Sequence, residues 1–542
     1  MFKRQSRAIT LIGVVVLASA SVAAQRKDGP ARGNIEGVTA AQMKDYLTLI
    51  ASDEMEGRNT PSRGLDLTAK YLASQLSRWG LKPAGDAGSY FQRIALRRSR
   101  IDAPRTSAEI NGQAFNYGED FLASVFAGSV SGQLVYVSHG WVIKSKSLDP
   151  YQGVDVKDKI VVVNSVSLPK GVTFNELGKQ GVDFDAPRDA AQKRGAKGII
   201  YIPAFAALAN WENNRQSVST QGAVFFDENR GPQSASIPAI TISPKALNAL
   251  FSNEKINALT AFNRAATNEP GESFAFTPEK QASFTVSVKS ESVSAQNVVA
   301  VLEGGDAALK NEYVALGAHY DHVGVGNPVN GDAIYNGADD DGSGTAAVLA
   351  LAEAFAKGPR PKRSLLFIWH AGEEEGLWGS AYFTKQPTVP INQIITLLNI
   401  DMIGRCRREG DTHPQRAGLA KLGEVFVVGS KMMSAELGEL SEAVNRGYLN
   451  LSFNYKYDDP KDPERIFFRS DHFNYALQGI PIIFYTDGEH EDYHKPSDTV
   501  DKIDFEQMEK ITRTVYATAW ELGNRAQRPR VDKKLPAEMM GN

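Results

Sequence analysis

The residues best placed to do chemistry lie between Tyr313 and Gly404, with one further piece near His494. Tyr313 to Ala318 is an apolar run that closes on His319-Tyr-Asp321-His322. Leu365 to Trp369 closes on His370-Ala-Gly-Glu373-Glu374-Glu375, and Thr396 to Ile400 closes on Asp401. Between the first two runs stands Asn336-Gly-Ala-Asp339-Asp340-Asp341-Gly-Ser-Gly344; Tyr493-His494-Lys-Pro-Ser-Asp498 follows later. Clustered carboxylates repel one another unless a positive group sits between them. Two imidazoles and three carboxylates, His319, His494, Asp340, Glu374 and Asp401, suit divalent zinc, and the two oxygens of Asp340 could serve two ions. A pair of metals about 3.5–4 Å apart clamps both oxygens of a hydrolytic displacement.

Convergence of these side chains needs a particular scaffold. Short apolar runs separated by helical segments read as buried parallel strands in a βαβ pattern. Ligands of such sheets bind beyond the carboxyl ends of the strands, where these polar residues stand. Thr345 to Lys357 is an Ala/Leu-rich helix, Glu424 to Val428 and Pro481 to Tyr485 are further strands, and Phe505 to Leu522 is a closing helix. The expected fold is α/β.

The segments resemble the co-catalytic dinuclear zinc aminopeptidase family, the bacterial leucyl aminopeptidase type that also includes glutamate carboxypeptidases and glutaminyl cyclases. The matching motifs are His319-x-Asp321, Gly337-Ala-Asp-Asp340-Asp-Gly-Ser-Gly344, Glu373-Glu374-x-Gly376, Asn399-Ile-Asp401-Met, Ser470-Asp471-His472 and Tyr493-His494-x-Pro-x-Asp498. The resemblance covers roughly residues 40–125 and 290–525. The resemblance implies a three-layer sandwich with a mostly parallel central sheet. It also implies two Zn2+ per chain and removal of N-terminal residues from peptides by a metal-activated water. Asp340 would bridge, and His319, Glu374, Asp401 and His494 would complete the metal ligands. Glu373 would be the general base that moves a proton from water to the leaving amine. Asp321 would hold the ring of His319 by accepting its other N–H. Of the neighbouring acids, Asp339 and Asp341, one is expected in solvent and the other in the turn; Glu375 is expected on the surface. His370 and His490 read as bystanders, while His322 and His472 are left open. Some relatives carry a tyrosine just before Ser-Asp-His; here either Tyr485, Tyr493 or Arg469 substitutes for it, or the second metal suffices.

The rest of the chain divides by composition. Met1 to Arg7 is basic, Ala8 to Ala20 is apolar or small, and Val22-Ala-Ala24 suits a signal peptidase, so residues 1–24 read as a secretory signal. Residues 38–125 form the first part of the peptidase domain. Helical periodicity runs from Ala40 to Ile50 and from Leu65 to Trp79, around an acidic loop at Ser52–Arg58 that could be solvated or touch substrate. From about 126 to 285, β-branched runs dominate. Val154-Asp-Val-Lys-Asp-Lys-Ile-Val-Val-Val and Arg194-Gly-Ala-Lys-Gly-Ile-Ile there resemble a β-rich protease-associated (PA) domain, inserted as a lid or interaction module. Residues 286–525 return to the catalytic domain, and 526–542 read as a mobile tail.

Composition narrows the function classes. A formal net charge of −3 gives no reason to expect nucleic acid or an anionic membrane as partner. The single cysteine, Cys406, excludes an intrachain disulfide. The expectation is a periplasmic or secreted exopeptidase acting on peptides, without stable membrane association once the signal is removed. Within the same resemblance stand a glutamate carboxypeptidase-like hydrolase, a glutaminyl cyclase and a non-catalytic receptor-like homologue. The first would need a basic pocket, for which Arg405, Arg407, Arg408 and Arg469 are candidates.

Overall fold

A computed structural model of the chain describes residues 32–226, 236–459 and 462–535; the signal-like segment 1–24 lies outside them. The core is a mixed sheet of ten strands. Four central strands, Ser364–His370, Tyr313–His319, Ile394–Ile400 and Ile482–Thr486, lie side by side and run parallel. Val288–Leu302 flanks them antiparallel on one side and pairs in turn, antiparallel, with Phe91–Ile101; Glu424–Val428 flanks them antiparallel on the other side.

The central strands are apolar without interruption because both faces are covered. Successive side chains of a strand point to opposite faces. Val314, Leu316 and Ala318 enter a core shared with helices Ala40–Ile50, Arg63–Arg78, Gly342–Lys357 and Phe505–Asn524. Ala315, Leu366 and Ile368 enter a second core, shared with helices Trp378–Lys385 and His472–Leu477. Helices on both faces make the three layers of an α/β sandwich. Each fully buried Leu, Ile or Phe there contributes about 1.5–3 kcal/mol over leaving it in water.

A second sheet, of nine strands, has its own apolar core. Its middle strands, Gly128–Tyr136, Ile160–Val163, Gly198–Tyr201 and Ala239–Ile242, are also parallel. Chain enters and leaves this sheet along the long antiparallel pair Phe91–Ile101 and Val288–Leu302, in register from Phe91↔Val298 to Ile101↔Val288. That pairing brings the ends of an insertion together without bending the main sheet. The second sheet already takes in Ser107–Ile110, Gln113–Phe115 and Phe121–Ala123, ahead of the composition change at 126. Those strands are only 3–4 residues long, too short to show a period in sequence. In the opposite direction, Ala223–Phe226 leaves the second sheet and pairs with Phe91–Ile101 at the edge of the main one.

Residues 526–535, expected as a loose tail, are pinned. Leu535 is buried, the backbone N–H groups of Asp532 and Lys533 donate to the Met433 carbonyl, and Arg528 pairs with Glu312.

Candidate metal centre

Every expected donor sits beyond the carboxyl end of the parallel block. His319 ends its strand, Asp401 follows Ile400, and Glu373 and Glu374 lie in the turn after His370. Asp340 precedes helix Gly342–Lys357, and His494 reaches in from the loop after Ile482–Thr486.

The acidic triplet has three separate jobs. Asp341 caps the helix by accepting from the Gly344 N–H at 2.8 Å, and also accepts from the Met402 N–H at 3.1 Å. Neither flanking acid is in solvent, where one was expected: Asp341 is buried, and Asp339 is fully buried too, accepting from the Gly404 N–H at 2.7 Å and facing His490 Nε2 at 3.2 Å. His490 therefore has a structural partner and is no loop bystander. Asp498 accepts from the backbone N–H groups of both Asp339 and Asp340. The side chain of Asp340 is thereby left to the centre.

Two donor groups share Asp340. One comprises His319, Asp340 and Asp401; the other comprises His322, Asp340, Glu374 and His494. In the first, His319 Nε2 is 3.3 Å from Asp340 Oδ1 and 3.5 Å from Asp401 Oδ1. In the second, His494 Nε2 is 3.0 Å from both Asp340 Oδ2 and Glu374 Oε2, and His322 Nδ1 is 2.8 Å from Glu374 Oε1. Donors about 2.0–2.2 Å from a tetrahedral zinc stand roughly 3.3–3.6 Å apart; the first group falls in that range, and the second is tighter, by up to about 0.5 Å. The orphaned atoms also fit the ion: His322 Nδ1, Asp340 Oδ2, Glu374 Oε1 and His494 Nε2 are buried with no hydrogen-bond partner. Buried polar atoms rarely go unpaired.

Protonation reflects the same crowding. Burial opposes charge on His494, but the carboxylates of Asp340 and Glu374 outweigh it and lift the ring to about 10. Asp401 and Glu373 likewise carry His319 well above the usual imidazole range, against burial. Burial would raise Asp340; His319 and His494 overcome it and hold that carboxyl well below the usual range. Glu373 goes the other way. Burial lifts it well above the carboxylate range, and Asp401 and Glu374 add to the lift against the pull of His319. A raised carboxyl is suited to taking and returning a proton.

Asp321 does more than hold a ring. Its carboxylate stands 3.6 Å from His319 Nδ1, while its backbone carbonyl is closer, at 3.2 Å. The carboxylate also accepts from the Thr60 hydroxyl at 3.1 Å and from the Glu373 N–H at 3.2 Å, so it fixes the turn that carries Glu373.

Arg58 is the residue whose importance its sequence context conceals. It is wholly buried and donates to the carbonyls of Ile50, Tyr320, Asn336 and Gly337 at 2.7–2.9 Å. It ties the acidic loop to the strand of His319 and to the turn before Asp340, a substrate-independent role. Gly337 completes that turn at φ +56°, where a Cβ would meet the Asp340 carbonyl oxygen at 2.3 Å and the His322 ring at 2.4 Å.

A cavity opens onto Asp340, Glu373 and Asp401. Met402, Ile466 and Phe484 give it an apolar wall; Arg469, Glu489 and Tyr493 give it a polar one. Arg469 pairs with Glu489 and donates to the Tyr493 hydroxyl at 3.3 Å. Of the three candidates to replace the missing tyrosine, Arg469 and Tyr493 face this cavity, whereas Tyr485 is buried against Ser441. His370 sits between Asp471 and Tyr475 within the core, and Cys406 lies against Asp504.

Comparison with known proteins agrees with this construction. Residues 297–519 match the model of peptidase family M28. A probable leucine aminopeptidase of Arthroderma benhamiae is 28% identical over 218 residues, 39% of this chain and 54% of its own length. Leucine aminopeptidase 1 of Coccidioides posadasii is 30% identical over 224 residues, 39% of this chain and 53% of its own. The chain thus spans about half the length of the curated relatives it matches. An aminopeptidase from Aneurinibacillus sp. strain AM-1 shares the fold, with a TM-score of 0.53 at 18% identity over 92% of this chain and 97% of that one. So does BSAP, a zinc aminopeptidase from Bacillus subtilis, with a TM-score of 0.50 at 16% identity over 92% and 99%. The segment that matches this family model, residues 297–519, carries the whole donor set.

Proposed function

We propose that the chain is an exported dinuclear zinc aminopeptidase that hydrolyses N-terminal residues from peptides. The observation that carries this reading is the pair of donor groups sharing Asp340, with Glu373 beside them and a cavity in front. His319, Asp340 and Asp401 would hold one ion, and Asp340, Glu374 and His494 the other. Zinc so held polarises a peptide carbonyl and brings the pKa of water towards neutrality. Glu373 takes the proton of the attacking water and returns it to the leaving amine. Asp321 keeps the backbone of Glu373 in place for both transfers. Tyr493 and Arg469 line the side where charge develops on the carbonyl oxygen. The apolar wall receives the N-terminal side chain.

A carboxypeptidase for acidic termini would need a free basic pocket at this cavity. Arg405 is instead held by Asp492 and Glu491, and Arg408 by Asp504, and both line a different cavity. Arg469, the one arginine among the described residues that line the donor-site cavity, is already paired. Aminoacyl reporters with free and N-acetylated amines separate the alternatives. The aminopeptidase reading expects cleavage of the free amine alone, abolished by chelator; preference for the blocked substrate overturns it.

The export reading rests on the signal pattern of residues 1–24. Among the described residues no helix is long and apolar enough to cross a membrane. Mass measurement of the mature chain tests it, since an unprocessed N-terminus in an exported fraction would contradict cleavage. We read the second sheet as a PA-like module on the strength of its sequence resemblance.

A further inference from the structure

We propose that His322 is a metal ligand, so that the second ion has four protein donors and the first has three. The inference rests on the dinuclear reading above and makes the two positions unequal.

His322 is fully buried, three residues beyond His319. Its Nδ1 lies 2.8 Å from Glu374 Oε1 and 3.7 Å from Asp340 Oδ2, yet neither ring nitrogen forms a hydrogen bond. At 2.8 Å the separation suits a hydrogen bond, so the direction of the ring nitrogen is what fails. His494 Nε2 behaves in the same way, close to two carboxylates and bonded to neither. The two rings stand 5.4 Å apart at 78°. Their donor atoms, with one oxygen each of Asp340 and Glu374, lie within 4.8 Å of one another. One cation among the four satisfies all of them.

Other buried rings make a useful control. His472 also has two unpartnered nitrogens, but it stacks on Phe484 at 4.5 Å and lies edge-on to Phe467. His370 and His490 each have one bonded nitrogen, Nε2 to the Tyr475 hydroxyl and Nδ1 from the Asp492 N–H, although the other nitrogen of each has no hydrogen-bond partner. Gly337 leaves the space that the His322 ring occupies. A closed set of two nitrogens and two oxygens resembles a structural zinc site, whereas three donors leave one place open, as catalytic zinc requires. The second ion is therefore the one held more tightly, and the first is the one that meets substrate.

The test is metal titration of the metal-free full chain with Zn2+ and Co2+, in a Cys406→Ser background, without substrate. Two unequal affinities are expected. His322→Ala should weaken the tighter one more than about 100-fold, beyond the roughly 10–100-fold that loss of an outer partner costs. His322→Cys, whose sulfur reaches about as far as Nδ1, should restore tight binding and give the thiolate-to-cobalt absorption of a directly bonded sulfur. A loss of 100-fold or less in the alanine variant, or no thiolate band in the cysteine variant, overturns the assignment. Two ions bound without hydrolysis of aminoacyl reporters would remove the aminopeptidase reading and leave His322 a ligand.

Discussion

Each of the two sheets has four parallel strands at its centre, and each has a histidine beyond a strand end. The histidines differ in kind. His139, after Gly128–Tyr136 in the second sheet, is buried with no carboxylate of the described residues facing it, accepts from the Trp141 N–H at 3.1 Å, and is driven down to about 4 by burial. His494, beyond the main sheet, is lifted to about 10 by Asp340 and Glu374. Within three residues of their ends, the other parallel strands of the second sheet meet no acid, whereas those of the main sheet reach Asp321, Glu373 and Asp401. A parallel sheet supplies a place for chemistry, and the residues at its edge decide whether chemistry happens.

Substitution should exaggerate this contrast. Asp340→Ala removes the donor common to both groups, so both ions and all hydrolysis should be lost. His139→Gln should leave metal content unchanged and activity within about twofold, as expected of a residue outside the site. Metal analysis and reporter assays on the two variants settle the point; zinc lost from the second would erase the contrast. Glu373→Gln should retain both ions while kcat falls by about 100- to 10,000-fold, the usual weight of a general base. If the ions leave with it, Glu373 is a ligand and not the base.

Arg58→Met should cost about 2–5 kcal/mol, since four buried carbonyls lose their donor. Thermal melting of the metal-free chain would register this, and an unchanged melt would show that the acidic loop is dispensable.

The two histidines also predict opposite pH behaviour. In the metal-free chain, the charge of His494 gives stability that is fully present below about 6.5 and is lost as pH rises through about 10. His139, neutral when folded, gives stability present above about 6.5 and lost as pH falls towards about 4. Because zinc must displace the proton on His494, metal affinity should rise with pH across the first window. Denaturation and zinc titrations at several pH values, compared with His139→Gln, measure both slopes.

The gentlest change, Gly337→Ala, should weaken metal binding by roughly tenfold or more while leaving the second sheet intact, because its Cβ strikes the Asp340 carbonyl and the His322 ring.

Much of the main sheet was legible in sequence because its strands are long, apolar and end in the reactive residues. His319, Asp340, Glu374, Asp401 and His494 were all placed in one crevice by that logic, and the structure brings them together. Arg58 was not legible. An arginine that bonds four carbonyls from three separate segments leaves no spacing in sequence, and an acidic loop around it looks solvated. One acid beside Asp340 was misplaced for a related reason: three adjacent acids look alike until the fold gives each a partner. His322 stayed open because a second histidine three residues after the first has no fixed direction beyond a strand end. The early strands of the second sheet were too short to declare a period.

The central claim is that two donor groups sharing Asp340 hold two ions for hydrolysis. Its most direct test is zinc content of the purified full chain, measured together with aminoacyl hydrolysis before chelation, after it, and after zinc is restored. About two zinc per chain, with activity lost and then regained, is the predicted result. Hydrolysis that survives complete removal of metal would contradict the account.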